Sequence, residues 1–124
     1  MSRLTVAIDI DGVLADYSEG WKGVEHFGPP TAFAVELTKQ IAEFADIIIF
    51  SCRLNDDLNK QYTRSERFNL VVNWLNKHGI IYHHIWTEQG KPYAKVFIDD
   101  RAVFCNEKSE LSQILADVTA RLNA

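Results

Sequence analysis

A chain of 124 residues, 47% apolar and 24% charged, has room for one hydrophobic core and not for two. Its formal net charge of −4 argues against broad nonspecific attachment to nucleic acid or anionic membrane, while leaving room for a local basic patch. No apolar run reaches bilayer-spanning length, and the first residues lack the basic-then-apolar layout of a signal peptide. Cys52 and Cys105 show neither metal-ligand spacing nor a disulfide framework, so a reducing, cytoplasmic setting is expected.

The chain opens on Leu4 to Ile8, an apolar and β-branched run that reads as a buried strand. It ends on Asp9 and Asp11, with Gly12 following. From Gly12 to Pro30 the polarity is mixed and the segment reads as an irregular flap containing Tyr17, Trp21 and Phe27. Pro29-Pro30-Thr31 then starts a helix on which Phe33, Leu37, Ile41 and Phe44 recur at helical spacing. Ile47 to Phe50 is a second strand, and four bulky apolar residues in a row suit a strand covered on both faces; it ends on Ser51-Cys52-Arg53.

After a polar loop, Thr63-Arg64-Ser65-Glu66 has the capping-box pattern, and Phe68, Val71, Val72 and Leu75 form the stripe of a second helix that Gly79 stops. A third strand is expected from Ile80 to about Trp86, and a fourth over Val96-Phe97-Ile98, ending on Asp99-Asp100-Arg101. A last helix, capped near Ser109, would turn Leu111, Ile114, Leu115, Val118 and Leu122 toward the sheet. Strands alternating with amphipathic helices predict a single α/β domain: a three-layer, Rossmann-like, mostly parallel sheet with helices on both faces.

In a parallel sheet all carboxyl ends share one edge, where ligands bind. Asp9 and Asp11, Ser51 and Arg53, and Asp99 and Asp100 therefore converge there, with Lys91 in the loop before the last strand. Carboxylates crowded together call for a cation, and an all-oxygen set suits Mg²⁺, which keeps waters that a phosphate can replace. A carboxylate beside such a phosphate can attack phosphorus, a second can move the proton, and Ser51, Lys91 and the N–H groups of the Asp11-Gly12 turn can neutralise the phosphoryl oxygens. Gly12 would let the backbone come close to the ligand.

Asp9-Ile10-Asp11-Gly12-Val13 resembles the first motif of the haloacid dehalogenase superfamily. Ser51 resembles the second, Lys91 the third and Ile98-Asp99-Asp100 the acidic fourth, in order, over residues 3 to 101. The resemblance implies a Mg²⁺-dependent phosphohydrolase: Asp9 as nucleophile and metal ligand, Asp11 as general acid/base with its carbonyl on the metal, and Ser51 and Lys91 on the phosphoryl group. Of the late pair, Asp100 is favoured as ligand with Asp99 supporting it, Arg53 is expected on substrate phosphate, and Lys91 is preferred to Lys95 for its Gly-Lys-Pro-Tyr setting. Neither cap position of the family is filled, so a minimal, capless member is implied, closed by its flap, a second subunit or a large substrate. Its substrate would be a small phosphorylated molecule or a phosphorylated polymer end.

Other readings are plainer. Arg53, Lys60, Arg64 and Arg67 are as much a solvated helix face as a polynucleotide patch. His83 and His84 are strand neighbours that point to opposite faces and are read as structural, and Cys52 lacks an activating base. A receiver-like signalling domain would need its phosphate-accepting aspartate where this chain has Ser51, and a phospho-ligand-binding protein without turnover would not need every motif position filled.

Overall fold

The computed structural model describes residues 3–56, 61–88 and 90–123. Its elements are β1 (Thr5–Asp9), α1 (Ala34–Ala42), β2 (Asp46–Phe50), a 3₁₀ turn (Cys52–Leu54), α2 (Arg64–Lys77), β3 (His84–Ile85), β4 (Val96–Ile98) and α3 (Leu111–Leu122). The strands form one all-parallel sheet in the order β3-β2-β1-β4, the α/β, Rossmann-like class read from the sequence. β1 is central: Asp9 pairs with Phe50 of β2, and Ile8 with Ile98 of β4. The residues following β2 and β4, Ser51 and Asp99, therefore emerge at the same edge as Asp9.

Alternation along the strands sorts the core. Val6 and Ile8 of β1 and Ile47 and Ile49 of β2 enter one buried cluster with Ala34 and Ile41 of α1 and Val71, Trp74 and Leu75 of α2. The buried stripe of α1 is Ala34, Thr38 and Ile41, not one that includes Phe33 and Phe44, which are exposed. Thr38 is tolerated inside because its hydroxyl donates to the Ala34 carbonyl at 3.0 Å. α2 begins on the expected capping box, with the Thr63 side chain accepting from Glu66 N–H and the Glu66 carboxylate accepting from Thr63 N–H. Gly79 follows its end at φ +70. β3 is only two residues long, much shorter than the run from Ile80 to Trp86 predicted.

α3 departs from expectation more strongly. Its sequence is amphipathic, but none of its residues is buried, and Leu111, Leu115, Val118 and Leu122 are exposed rather than turned toward the sheet. It makes no contact with another helix or strand among the described residues. Periodicity fixes which side chains share a helix face; it does not fix what that face meets. No described helix is long and apolar enough to cross a membrane.

The flap from Gly12 to Pro30 carries no helix, as expected, yet it is tied down. Asp16 N–H donates to the Pro29 carbonyl, Thr31 N–H to the Leu14 carbonyl, and Phe27 stacks on Trp74 with centroids 5.4 Å apart. Leu75→Ala should cost about 2–5 kcal/mol in urea unfolding, Thr63→Ala about 1 kcal/mol, and Phe44→Ala under about 0.5 kcal/mol. A large loss at Phe44 would contradict this placement of the α1 stripe.

Candidate functional site

The carboxyl edge of the sheet gathers three of the four acids read as site residues. One carboxylate oxygen from each of Asp9, Asp99 and Asp100 lies within 4.8 Å of the others. Asp9 is anchored by the Ile10 N–H at 2.8 Å, and Asp99 by the Arg101 N–H at 2.8 Å. Oδ1 of Asp100 is buried without any hydrogen-bond partner, a costly arrangement for a carboxylate unless something positive joins it. That upper limit is close to the roughly 4 Å between opposite ligands of an octahedral magnesium ion, and the donors are all oxygen. The residues present therefore fit a hard divalent cation.

Gly12 is indispensable here for a second reason besides its φ of +88. A Cβ at that position would stand 2.1 Å from Oδ2 of Asp100, so any side chain would displace the acid. Crowding also shows in the protonation of Asp9. Burial, reinforced by the charges of Asp99, Asp100 and Asp11 and opposed by the Ile10 N–H, raises its pKa from 3.8 to about 7. Burial together with Asp9 and Asp11 likewise pushes the Cys52 thiol up, which agrees with its not being read as a nucleophile.

Asp9 and Asp99 open into a cavity of about 1050 Å³ whose walls include Ser51, Lys91 and Asp11, with Asp100 set behind that wall. Ser51 is fixed by capping the 3₁₀ turn, its Oγ accepting from Arg53 N–H at 3.2 Å. Lys91 is exposed and rests its Nζ 4.2 Å from the centroid of the Phe97 ring. Lys95 is not part of this wall: its N–H donates to the carbonyl of Thr5, at the amino end of β1 and far along the strand from Asp9. The preference for Lys91 is thus consistent with the topology.

Arg53 corrects the sequence reading. It is 2% exposed, does not line the main cavity, and spends its guanidinium on the protein itself. Nε and Nη2 donate to the two carboxylate oxygens of Asp11, each at 2.8 Å. Nη1 donates to the carbonyls of Val24 at 2.8 Å and Gly23 at 3.4 Å, and Nη2 to that of His26 at 2.9 Å. No donor is left for a substrate phosphate. Arg67 is also buried, donating to the Asn55 carbonyl and pairing with Asp56 at 2.6 Å. A basic patch along residues 53 to 67 therefore does not form from Arg53 and Arg67, and Lys60 lies outside the described residues.

Arg64 and Arg101 line the cavity, and neither was singled out as a site residue from sequence. Arg101 follows directly on the acidic pair, and that adjacency was the available signal. His83 is structural, accepting from Ile47 N–H through Nδ1 at 2.8 Å.

No protein-family model matches the chain, and no curated protein does. It is similar in chain path to the crystal structure of an MCSG target from Vibrio cholerae, at 22% identity over 91% of this chain and 94% of that one, with a TM-score of 0.49. That likeness brings no activity with it.

Two outcomes test the site. A raised Asp9 pKa means that the folded state holds a proton the unfolded chain releases, so this stability is present below pH 3.8 and lost as pH rises through about 7. The metal-free protein should lose several degrees of thermal midpoint between pH 5 and pH 8, Mg²⁺ should restore more at pH 8, and Asp9→Asn should flatten the profile. An Asp9→Asn profile as steep as the wild type would be incompatible with this origin. Arg53→Met should lower stability by about 3–5 kcal/mol, because it strands Asp11 and the flap carbonyls. A substrate-contact arginine would leave stability unchanged.

Proposed function

We propose that the chain is a Mg²⁺-dependent phosphohydrolase of haloacid dehalogenase type that works through Asp9. The observation that carries this reading is the unpartnered buried oxygen of Asp100 beside Asp9 and Asp99, at the sheet edge where Ser51 and Lys91 also line the cavity. The motif resemblance supports it independently.

Asp9, Asp99 and Asp100 would hold the ion, and bound Mg²⁺ would offset the charge of the acids and of a phosphoryl group. Asp9, at the strand end, attacks phosphorus; the ester oxygen leaves with a proton and an aspartyl-phosphate forms. Water then cleaves the acyl phosphate, returning inorganic phosphate and free Asp9. Ser51 Oγ and Lys91 Nζ donate to the phosphoryl oxygens, whose negative charge they stabilise in the transition state. Asp11 handles the proton. Paired with Arg53 it is an acceptor, suited to taking the proton of the attacking water, and its use as donor to the leaving oxygen requires that pair to open.

The internal engagement of Arg53 and Arg67 favours a small phosphorylated molecule over a polymer end. The test is turnover of an aryl phosphate with and without Mg²⁺, beside 3′- and 5′-phosphorylated oligonucleotides. Asp9→Asn should reduce kcat by about 10³-fold or more, and Lys91→Ala by about 10²-fold. Turnover that persists in Asp9→Asn would overturn the mechanism, and Mg²⁺ binding without hydrolysis of any phosphomonoester would point to a phospho-ligand-binding protein.

A further inference from the structure

The cavity that holds the acids also has aromatic walls, and their support is unusual for a loop. Trp21, in the flap, is 43% exposed and lines the cavity. Its ring centroid lies 4.8 Å from the guanidinium carbon of Arg53; that same carbon lies 3.8 Å from the centroid of Phe27, which stacks on the buried Trp74. Ring and guanidinium contacts thus run unbroken from the core helix α2 to the cavity wall, and Arg53 is itself locked by Asp11 and three flap carbonyls. Trp86, a second aromatic in the wall, is oriented by its indole N–H donating to the Gly90 carbonyl at 2.9 Å. Tyr17 is a third, with Arg101 5.7 Å from its centroid.

A preformed aromatic wall loses little side-chain freedom on binding and presents a π face that favours a planar ring. A three-carbon phosphate has no ring to lay on that wall, and a sugar offers only its C–H edges and not a planar π face. We infer that the substrate is a phosphomonoester carrying a planar heteroaromatic group beyond its phosphate, of the class of a nucleoside monophosphate, with Trp21 as the platform on which the base stacks. This rests on the phosphohydrolase reading of Asp9 and adds to it the recognition of the non-reacting half. The cavity's 1050 Å³ has room for a sugar between base and phosphate, whereas the ring of a phosphotyrosine is joined directly to its phosphate and is held close to Asp9. A free mononucleotide also agrees with a chain in which Arg53 and Arg67 are not available to a polynucleotide backbone.

Binding is measured first, without catalysis, by tryptophan fluorescence of the full-length Asp9→Asn protein with Mg²⁺, titrated with adenosine 5′-monophosphate, ribose 5-phosphate, glycerol 1-phosphate and O-phosphotyrosine. The nucleotide should bind about 10-fold or more tightly than ribose 5-phosphate, the worth of one base–aromatic stack. Adding Trp21→Ala should erase that ratio, and Trp21→Phe should retain most of it. In the catalytically intact protein the same ratio should appear in KM. Equal binding of nucleotide and ribose 5-phosphate, a preference for phosphotyrosine, or a ratio unaffected by Trp21→Ala would each overturn the inference. Hydrolysis of phosphomonoesters with no nucleotide preference would do so while leaving the phosphohydrolase reading intact, and selective nucleotide binding without hydrolysis would do the reverse.

Discussion

The buried pair between Arg53 and Asp11 is the constraint on which the rest of the site depends. A guanidinium at 2% exposure is tolerated only when its charge is matched and its donors are engaged, and here a carboxylate and three flap carbonyls do both. Those carbonyls belong to irregular backbone with no ladder of its own, so one side chain satisfies what secondary structure would otherwise satisfy. The flap is thereby joined to the 3₁₀ turn after β2 and to Asp11, two residues past the end of β1. An opening of the pair would free Asp11 and slacken the wall that carries Trp21 together.

The acids at the end of β1 and β4 set a second, opposing condition. Their burial and proximity are costly in the absence of a cation: burial first, and the neighbouring carboxylates second, push the Asp9 pKa up to about 7, and an oxygen of Asp100 is left unpartnered. Gly12 makes the proximity possible, because its missing side chain is the space Asp100 fills. A strained electrostatic arrangement held by a well-packed parallel sheet is the kind of local cost found where structure serves chemistry, and it is why the proposed activity is assigned to this edge and not to the histidines or cysteines.

Much of this was legible in the sequence. Thr63 and Glu66 announced the start of α2, Gly79 its end, and the apolar runs ending on Asp9, Ser51 and Asp99 placed those residues at one sheet edge. Such signals are local: a cap, a glycine stop and a run of β-branched residues act within a few positions of the chain. The α1 stripe was misplaced because Phe33 and Phe44 have the right spacing and hydrophobicity, while the position that goes inside carries Thr38, whose hydroxyl is satisfied by its own helix. For α3 the spacing was right and the receiving surface was not there.

Sequence by itself determined the α/β class, the order of the elements and the residues delivered to the carboxyl edge, since periodicity and the parallel topology together leave little choice of where a strand ends. It could not assign Arg53, whose partners are the Asp11 carboxylate 42 residues away and backbone carbonyls 27 to 30 residues away that carry no side-chain signature. It preferred Lys91 to Lys95 from the Gly-Lys-Pro-Tyr setting alone, while the fold puts Lys91 on the cavity wall and the Lys95 backbone beside Thr5 at the other end of β1. Those outcomes were decided by tertiary structure, because burial and the direction of hydrogen-bond donors exist only once distant segments have met.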